Sequence, residues 1–254
     1  MVAEFIGRLE RGRHLEKWTV YPETAGWDLL LVHKNGFQLG LEAKLTLNNK
    51  VVAQALKGQS SYWCKTDGPD YRGVLVPNIG KQQHLGEICQ ALGIGIITMG
   101  TEDHGICHFI DLPYDSEYCR WPNWGSMQRC PLPDYIPDVE AGRASPIQLT
   151  DWKVRAIKLS IILDRRGWIT RDDFRAVKIS PTRWTAHAYG FLIHTHPGQY
   201  ERSSRTPDFR AQHPVNYAQI EADAAEWGKC LDPFKKEAPD WLVKPFDPAP
   251  QAEA

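Results

Sequence analysis

Hydrophobic and polar positions follow two different periods at the start of the chain. Met1–Arg13 carries apolar residues at helical spacing, and Lys17–Tyr21 has the composition of a short strand. Two apolar runs then flank Asn35-Gly36, a dipeptide that supplies the positive φ of a tight turn. This pattern predicts a helix, a strand and a β-hairpin. In the hairpin, the beginning of the first strand lies beside the end of the second.

The pattern after the hairpin alternates between helices and buried strands. The predicted elements are a helix capped by Asn48 or Asn49 and continuing to about Trp63, a strand Tyr71–Val76, a helix Gly80–Leu92 and a strand Gly95–Met99. The resulting order, α-β-β-β-α-β-α-β, favours a mixed α/β domain over residues 1–110.

A proline-rich connection over residues 111–147 is predicted to follow. Six prolines lie between Asp111 and Pro146, where periodic apolar residues are few, and proline interrupts regular elements. The segment also contains aromatic residues, which predict that it packs onto one domain: Tyr114, Trp121, Trp124 and Tyr135.

Residues 148–206 have the pattern of a second, smaller α+β domain. The predicted elements are a helix Asp151–Leu163, a short extended piece at Gly167-Trp168-Ile169, a helix capped by Thr170, a helix from Ser180-Pro181 to about Ile193, and a hairpin turning at Pro197-Gly198. In the remaining extension, residues 207–254, we expect a helix at Tyr217–Trp227 and disorder at Asp247–Ala254.

Composition fits a globular enzyme of two modest domains. The chain has 254 residues, of which 42% are hydrophobic and 24% charged. It contains neither an apolar run of membrane-spanning length nor a signal-peptide core, and its six cysteines form no regular framework. These features predict a cytoplasmic protein that does not bind membranes.

Charge is distributed unevenly along the chain. Residues 145–213 contain twelve Lys and Arg against six Asp and Glu, whereas residues 1–144 contain fourteen against seventeen. A basic module beside an acidic one predicts a polyanionic partner for the basic module. A solvated basic surface without a partner is the alternative interpretation.

The hairpin places candidate chemistry at one edge of the predicted sheet. Asp28 begins the first strand, Glu42-Ala43-Lys44 ends the second, and alternation puts Glu42 and Lys44 on one face. Carboxylate oxygens are the ligands that hard divalent cations prefer. A neighbouring ammonium group can hold a water molecule or stabilise the charge that develops on a phosphate.

This arrangement resembles the PD-(D/E)XK nuclease superfamily over roughly residues 1–110. Gly26-Trp27 stands where the proline of the superfamily's name would be. The resemblance implies a restriction-endonuclease-like mixed sheet and hydrolysis of DNA phosphodiester bonds. It also implies Mg²⁺ or Mn²⁺ bound by Asp28, Glu42 and the Ala43 carbonyl, with Lys44 as a further catalytic residue.

The same resemblance suggests two more catalytic residues. Gln54 lies on the helix after the lysine, where members of the superfamily often carry a polar residue facing the site. Many members also use a glutamate from the first helix, for which Glu10 is our choice. Three other glutamates remain open for that role: Glu4, Glu16 and Glu23.

The element order of residues 148–206 resembles a winged helix-turn-helix domain, whose second helix enters the major groove. On that basis we expect DNA contacts from Thr182, Arg183, Thr185 and His187 on the recognition helix, and from Arg202 and Arg205 on the wing. A protein-contact domain of the same order is the alternative.

The combined architecture predicts a metal-dependent DNA endonuclease, encoded by a bacterium or a phage. Its plan is similar to the endonuclease subunit of heteromeric transposases, so a partner recombination subunit or a homodimer is compatible with it. Two alternatives remain: a catalytically inactive DNA-binding or regulatory protein on a nuclease fold, and an interaction protein whose winged helix contacts a partner. The intact set of Asp28, Glu42 and Lys44 favours the enzyme.

Overall fold

The structure, a computed structural model, describes residues 1–58, 67–100, 110, 112–113, 121–139, 148–186 and 189–228. The chain divides into two compact units, Met1–Thr150 and Asp151–Ala254. Among the described residues, no helix is both long enough and apolar enough to cross a bilayer.

The first unit contains a five-stranded mixed sheet with the spatial order β1-β2-β3-β4-β5. Its strands are β1 Trp18–Thr24, β2 Trp27–His33, β3 Gln38–Ala43, β4 Tyr71–Val76 and β5 Gly95–Thr98. Its helices are α1 Val2–Arg11, α2 Asn49–Ala55 and α3 Gln83–Ala91, with a short 3-10 helix at His14–Glu16. Strands β1, β2 and β3 pair antiparallel, while β3, β4 and β5 pair parallel. The mixed α/β class predicted from the pattern is confirmed.

Two apolar cores cover the two faces of this sheet. The α1-side core joins Phe5 and Leu9 of α1 to sheet residues that include Leu29, Leu41 and Leu75. The α2-side core packs α2 and α3 on the opposite face and includes Val51, Val52, Val74, Val76, Leu85 and Cys89. Every residue of β3 and β4 is buried, as expected for strands covered by helices on both faces.

The hairpin predicted around Asn35-Gly36 is present. Gly36 has a φ of +86°, and its amide donates to the carbonyl of His33 at 2.7 Å. Glycine takes this conformation without the steric cost that a side chain would incur. Strands β2 and β3 pair with Leu29 opposite Leu41. Asp28 and Glu42 are therefore the next two residues to face each other across these strands.

Helix α2 begins as predicted but ends earlier. The Asn48 side chain caps it by accepting a hydrogen bond from the Val51 amide at 3.0 Å. The helix ends at Ala55, so the expectation that it continues to about Trp63 is wrong. The physical reason is local, because Gly58 adopts a φ of +78°, a left-handed conformation that no α-helix accommodates.

The described part of the proline-rich connection, residues 121–139, packs onto the first unit. The Trp121 ring lies against the α-carbons of Gly73 and Gly95, and Trp124 Nε1 donates to the Gly93 carbonyl at 2.8 Å. Arg129 forms an ion pair with Asp70 at 2.8 Å. Packing by Trp121 and Trp124 is therefore confirmed, whereas Tyr114 lies outside the described residues.

The second unit combines short helices with a small antiparallel sheet of order β6-β8-β7. Its elements are α4 Asp151–Arg166, β6 Trp168–Thr170, α5 Arg171–Ala176, α6 Thr182–Thr185, β7 Leu192–His196, β8 Gln199–Arg202, α7 Phe209–Gln212, α8 Pro214–Ala222 and α9 Ala224–Trp227. Thr170 and Asp173 form a reciprocal capping box on α5, and Gly198 forms the predicted hairpin turn with a φ of +81°.

The predicted recognition helix is a single turn. Helix α6 ends at Thr185, and Ile193 lies in β7, so the expectation of a helix from Ser180-Pro181 to about Ile193 is wrong. The chain becomes extended at Ala186, with ψ 131°. It then reverses at Gly190, whose φ is +58°. This reversal brings the Phe191 ring to 6.0 Å from the buried Trp184 ring, and aromatic packing takes precedence over helical continuity.

Gly40 on β3 offers a direct test of the packing in the first unit. A Cβ atom at this position would lie 2.5 Å from Cδ2 of Trp27. We therefore expect Gly40→Ala to lower the free energy of unfolding by about 1–3 kcal/mol, measured by urea denaturation.

Gly7→Ala is the matched control for this substitution. Gly7 lies within α1, and the nearest atom to an added Cβ is 3.4 Å away. The control should raise stability by about 0.5–1 kcal/mol because alanine favours a helix interior. Equal stability of Gly40→Ala and wild type would contradict the close approach of Trp27 to β3.

Candidate active site

Asp28 and Glu42 meet where two antiparallel strands run side by side. Asp28 is the second residue of β2, and Glu42 is the fifth residue of β3. Glu42 pairs with Val74, a member of the α2-side core, so its side chain belongs to that face of the sheet. The amide of Ala43 donates to Asp28 Oδ2 at 2.7 Å and fixes the carboxylate against the end of β3.

Lys44 joins the two acids. Its Nζ atom lies 2.8 Å from Asp28 Oδ2 and 3.9 Å from Glu42 Oε2. The backbone amide of Lys44 donates to the Leu75 carbonyl at 3.0 Å, so the neighbouring strand β4 holds this residue at the sheet edge. Lys44 is therefore in contact with both of the acids singled out in the sequence.

A second lysine, absent from the sequence interpretation, completes the cluster. Lys57 Nζ donates to Glu42 Oε1 and to the Gly26 carbonyl, and it lies 3.9 Å above the centre of the Trp27 ring. Lys57 follows Gln54 by three residues, which is one helical turn. This spacing from Gln54, a residue already expected to face the site, is the sequence signal by which Lys57 could have been found.

Arg72 fixes the backbone from which Lys57 extends. Arg72 is fully buried on β4, and its guanidinium donates to the carbonyls of Lys57 at 2.5 Å and of Asp67 at 2.8 Å. Its Cζ atom lies 5.9 Å from the centre of the Trp27 ring, and that ring covers Gly40. This layer of buried groups therefore holds Lys57 against Glu42.

Burial dominates the electrostatics of Glu42, which is only 2% exposed. Loss of hydration raises the pKa of Glu42, and the charge of Asp28 raises it further. The hydrogen bond and charge of Lys57, together with the charge of Lys44, act in the opposite direction. Glu42 therefore binds protons more readily than an ordinary glutamate and gains from each nearby cation.

Gln54 lies one turn before Lys57 and carries a buried acceptor. Its Oε1 atom has no hydrogen-bond partner among the described residues. The carboxylates of Asp28 and Glu42 are hard oxygen donors, which suit Mg²⁺ or Mn²⁺. In the described part of the chain no cluster of three or more His, Cys, Asp or Glu could hold a metal ion. Two carboxylates are few donors, so a hard cation held by Asp28 and Glu42 would keep several of its own waters.

Glu10 is not brought to this cluster. It is exposed on α1, and α1 packs through Phe5 and Leu9 on the sheet face opposite to Glu42. Two of the alternative glutamates have other partners, since Glu4 pairs with Arg8 at 2.6 Å and Glu16 with Arg13 at 3.0 Å. A catalytic contribution from the first helix stays a prediction without a contact to support it.

Arg183 lines a groove in the second unit. Its Cζ atom lies 5.2 Å from the centre of the Trp152 ring. The groove has a volume of about 690 Å³ and is lined by Asp151, Trp152, Arg155, Lys178, Ile179, Ser180, Thr182, Arg183, Ala186 and Tyr189. Three lining residues are cationic and one is acidic. Tyr189 is 49% exposed, so an aromatic ring accompanies the positive charge.

The remaining predicted DNA contacts have different environments. Arg202 forms an ion pair with Asp164 and donates to Ser160 Oγ at 3.2 Å, so it is engaged within its own unit. Arg205 is exposed just after β8. The hydroxyl of Thr185 donates to the Pro181 carbonyl at 3.1 Å. His187 lies outside the described residues.

Comparisons of this chain with protein-family models, with curated proteins and with solved structures find no match.

The raised pKa of Glu42 predicts a dependence of stability on pH. Because the folded protein binds the Glu42 proton more tightly than the unfolded chain does, this group stabilises the fold most below about pH 4.3, the ordinary glutamate range. The contribution is lost as the pH rises through the raised pKa. The free energy of unfolding of wild type minus that of Glu42→Gln should therefore decrease over this interval, by about 1.4 kcal/mol for each unit of the shift.

Urea denaturation at a series of pH values measures this difference, with Glu10→Gln as an exposed control on α1. A difference that increases with pH would show that Lys57 and Lys44 outweigh burial at Glu42, contrary to this account.

Proposed function

We propose that the first unit hydrolyses phosphodiester bonds of DNA with the help of a divalent cation. The observation that carries the proposal is the contact of Lys44 Nζ with both Asp28 and Glu42 at adjoining strand ends. The resemblance of Asp28 and Glu42-Ala43-Lys44 to the PD-(D/E)XK signature supports the same chemistry.

Asp28 and Glu42 would hold Mg²⁺ or Mn²⁺, with the Ala43 carbonyl as the further ligand that the resemblance implies. Such an ion supplies Lewis-acid polarisation of a phosphate oxygen and lowers the pKa of a bound water. Lys44 places a positive charge beside the carboxylates, where it can orient the attacking water or stabilise charge on the phosphate. Burial of Glu42 keeps bulk water away from one side of the cluster and strengthens these interactions.

The second unit would contribute DNA binding through the groove at Arg183. Arg155, Lys178 and Arg183 line it together with Trp152 and Tyr189. Basic side chains attract the phosphate backbone, and exposed aromatic rings stack on bases. The excess of six basic residues over residues 145–213 supports the same assignment.

A DNA-binding protein without cleavage activity is the second candidate. The observation in its favour is that both carboxylates already contact ammonium groups, Asp28 with Lys44 and Glu42 with Lys57. A cation would have to bind beside these ion pairs or displace one of them. Cleavage assays separate the two candidates, because only the nuclease loses an activity when Lys44 is replaced.

Lys44→Ala tests the catalytic role. We expect plasmid cleavage with Mg²⁺ or Mn²⁺ to fall by about two orders of magnitude or more, as for loss of a charge-stabilising group. The melting temperature should change little because the Lys44 side chain is partly exposed. Lys50→Ala is the matched control, since Lys50 is exposed on α2. Undiminished cleavage by folded Lys44→Ala would remove this cluster as the site of hydrolysis.

Arg183→Ala tests the groove. Affinity of the full chain for duplex DNA should fall by about 1–3 kcal/mol if Arg183 contacts a base. If it contacts only a phosphate, the slope of log affinity against log salt should decrease by about 0.9. Arg171→Ala is the control with the same change in charge, at an exposed position outside the lining of the groove. Fluorescence anisotropy at several salt concentrations measures both quantities; equal effects of the two substitutions would place DNA elsewhere.

A further inference from the structure

Lys57 is held at its position by three separate contacts. Its ammonium group donates to the Gly26 carbonyl and to Glu42 Oε1, and it lies over the face of the Trp27 ring. A carbonyl, a carboxylate and an aromatic face are each attractive to a cation, and together they surround one charge. Lys57 is therefore a fixed counter-ion, unlike an exposed lysine that forms occasional ion pairs.

The backbone of Lys57 is fixed as well. Arg72 donates to the Lys57 carbonyl at 2.5 Å and to the Ala55 carbonyl at 3.4 Å. Ala55 is the last residue of α2, and Lys57 lies two residues beyond it. Arg72 is fully buried on β4. The sheet therefore fixes, through Arg72, the backbone position from which the Lys57 side chain reaches Glu42.

The two oxygens of Glu42 consequently face different partners. Lys57 holds Oε1, whereas Oε2 faces Lys44 at 3.9 Å, on the side of Asp28. Lys44 in turn contacts Asp28 Oδ2. Because Lys57 occupies Oε1, the Oε2 atom that faces Lys44 is the oxygen of Glu42 left for a cation shared with Asp28.

We infer that the Lys57 ammonium group permanently occupies Oε1 of Glu42. The site therefore binds one divalent ion, which Asp28 and Glu42 Oε2 share. This inference rests on the proposed metal-dependent function and assigns its stoichiometry. Lys57 is a positioning residue in this account: it orients the Glu42 carboxylate and limits the positive charge that the cluster can accept.

Titration of the full chain with Mn²⁺ by isothermal calorimetry tests the inference without relying on cleavage. Wild type should bind one ion per chain. Lys57→Gln, which keeps a hydrogen-bond donor but removes the charge, should bind Mn²⁺ about tenfold more tightly or better, because a positive charge a few ångströms from the ion is lost. Lys50→Gln makes the same change in charge on the exposed side of α2 and should bind as wild type does.

A second variant shows whether a change in affinity comes from the lost charge or from disturbed folding. Lys57→Arg keeps the charge, so its affinity for Mn²⁺ should stay within about threefold of wild type, a small effect beside the tenfold gain of Lys57→Gln. Circular dichroism of each variant confirms the fold. Two ions bound by wild type, or equal affinities of Lys57→Gln and Lys50→Gln, would overturn the inference.

Asp28→Asn separates this inference from the proposed function. If wild type binds one ion, Asp28→Asn loses it and Lys57→Gln changes nothing, then the role of Lys57 is refuted while the metal site stands. If none of the proteins binds Mn²⁺, both the inference and the metal-dependent function fail.

Discussion

A carboxylate buried inside a sheet is the constraint on which the first unit depends. Glu42 lies on β3, a strand with no exposed residue, and an isolated charge in such surroundings is strongly destabilising. Two ammonium groups compensate for it, one from Lys44 and one from Lys57, which lies two residues beyond the end of α2. Without either ammonium group the charge of Glu42 would be buried and uncompensated, so the cluster has to form together with the sheet.

The layers around Glu42 follow from the same constraint. Lys57 reaches Glu42 because Arg72 holds its carbonyl, and Trp27 offers its ring to the ammonium group because Gly40 leaves room for it. Arg72 is itself a buried charge, satisfied by backbone carbonyls. Charge, aromatic surface and a residue without a side chain thus form one connected arrangement. Asp28, Lys44 and Lys57 are its partly exposed members, whereas Glu42 is buried.

The sequence predicted those parts of the fold that depend on local signals. Asn35-Gly36 predicted the hairpin, and the apolar run Tyr71–Val76 predicted β4 to the residue, because turn chemistry and strand length are local properties. Lys57 was missed because its role arises from contacts with residues 15 and 31 positions away. The helix after Ser180-Pro181 was predicted too long because helical spacing does not reveal that Phe191 packs on Trp184. The nuclease and winged-helix assignments stay predictions.

Anomalous diffraction from crystals grown with Mn²⁺ tests the central claim most directly, since it locates the ion without an assay of activity. We expect one anomalous peak per chain, with an oxygen of Asp28 and Oε2 of Glu42 both within about 2.0–2.6 Å of the metal, the range for hard cations. Lys57 should remain on Oε1. Crystals that show Asp28 and Glu42 paired only with Lys44 and Lys57, with no peak between the carboxylates at millimolar Mn²⁺, would contradict a metal-dependent active site at this sheet edge.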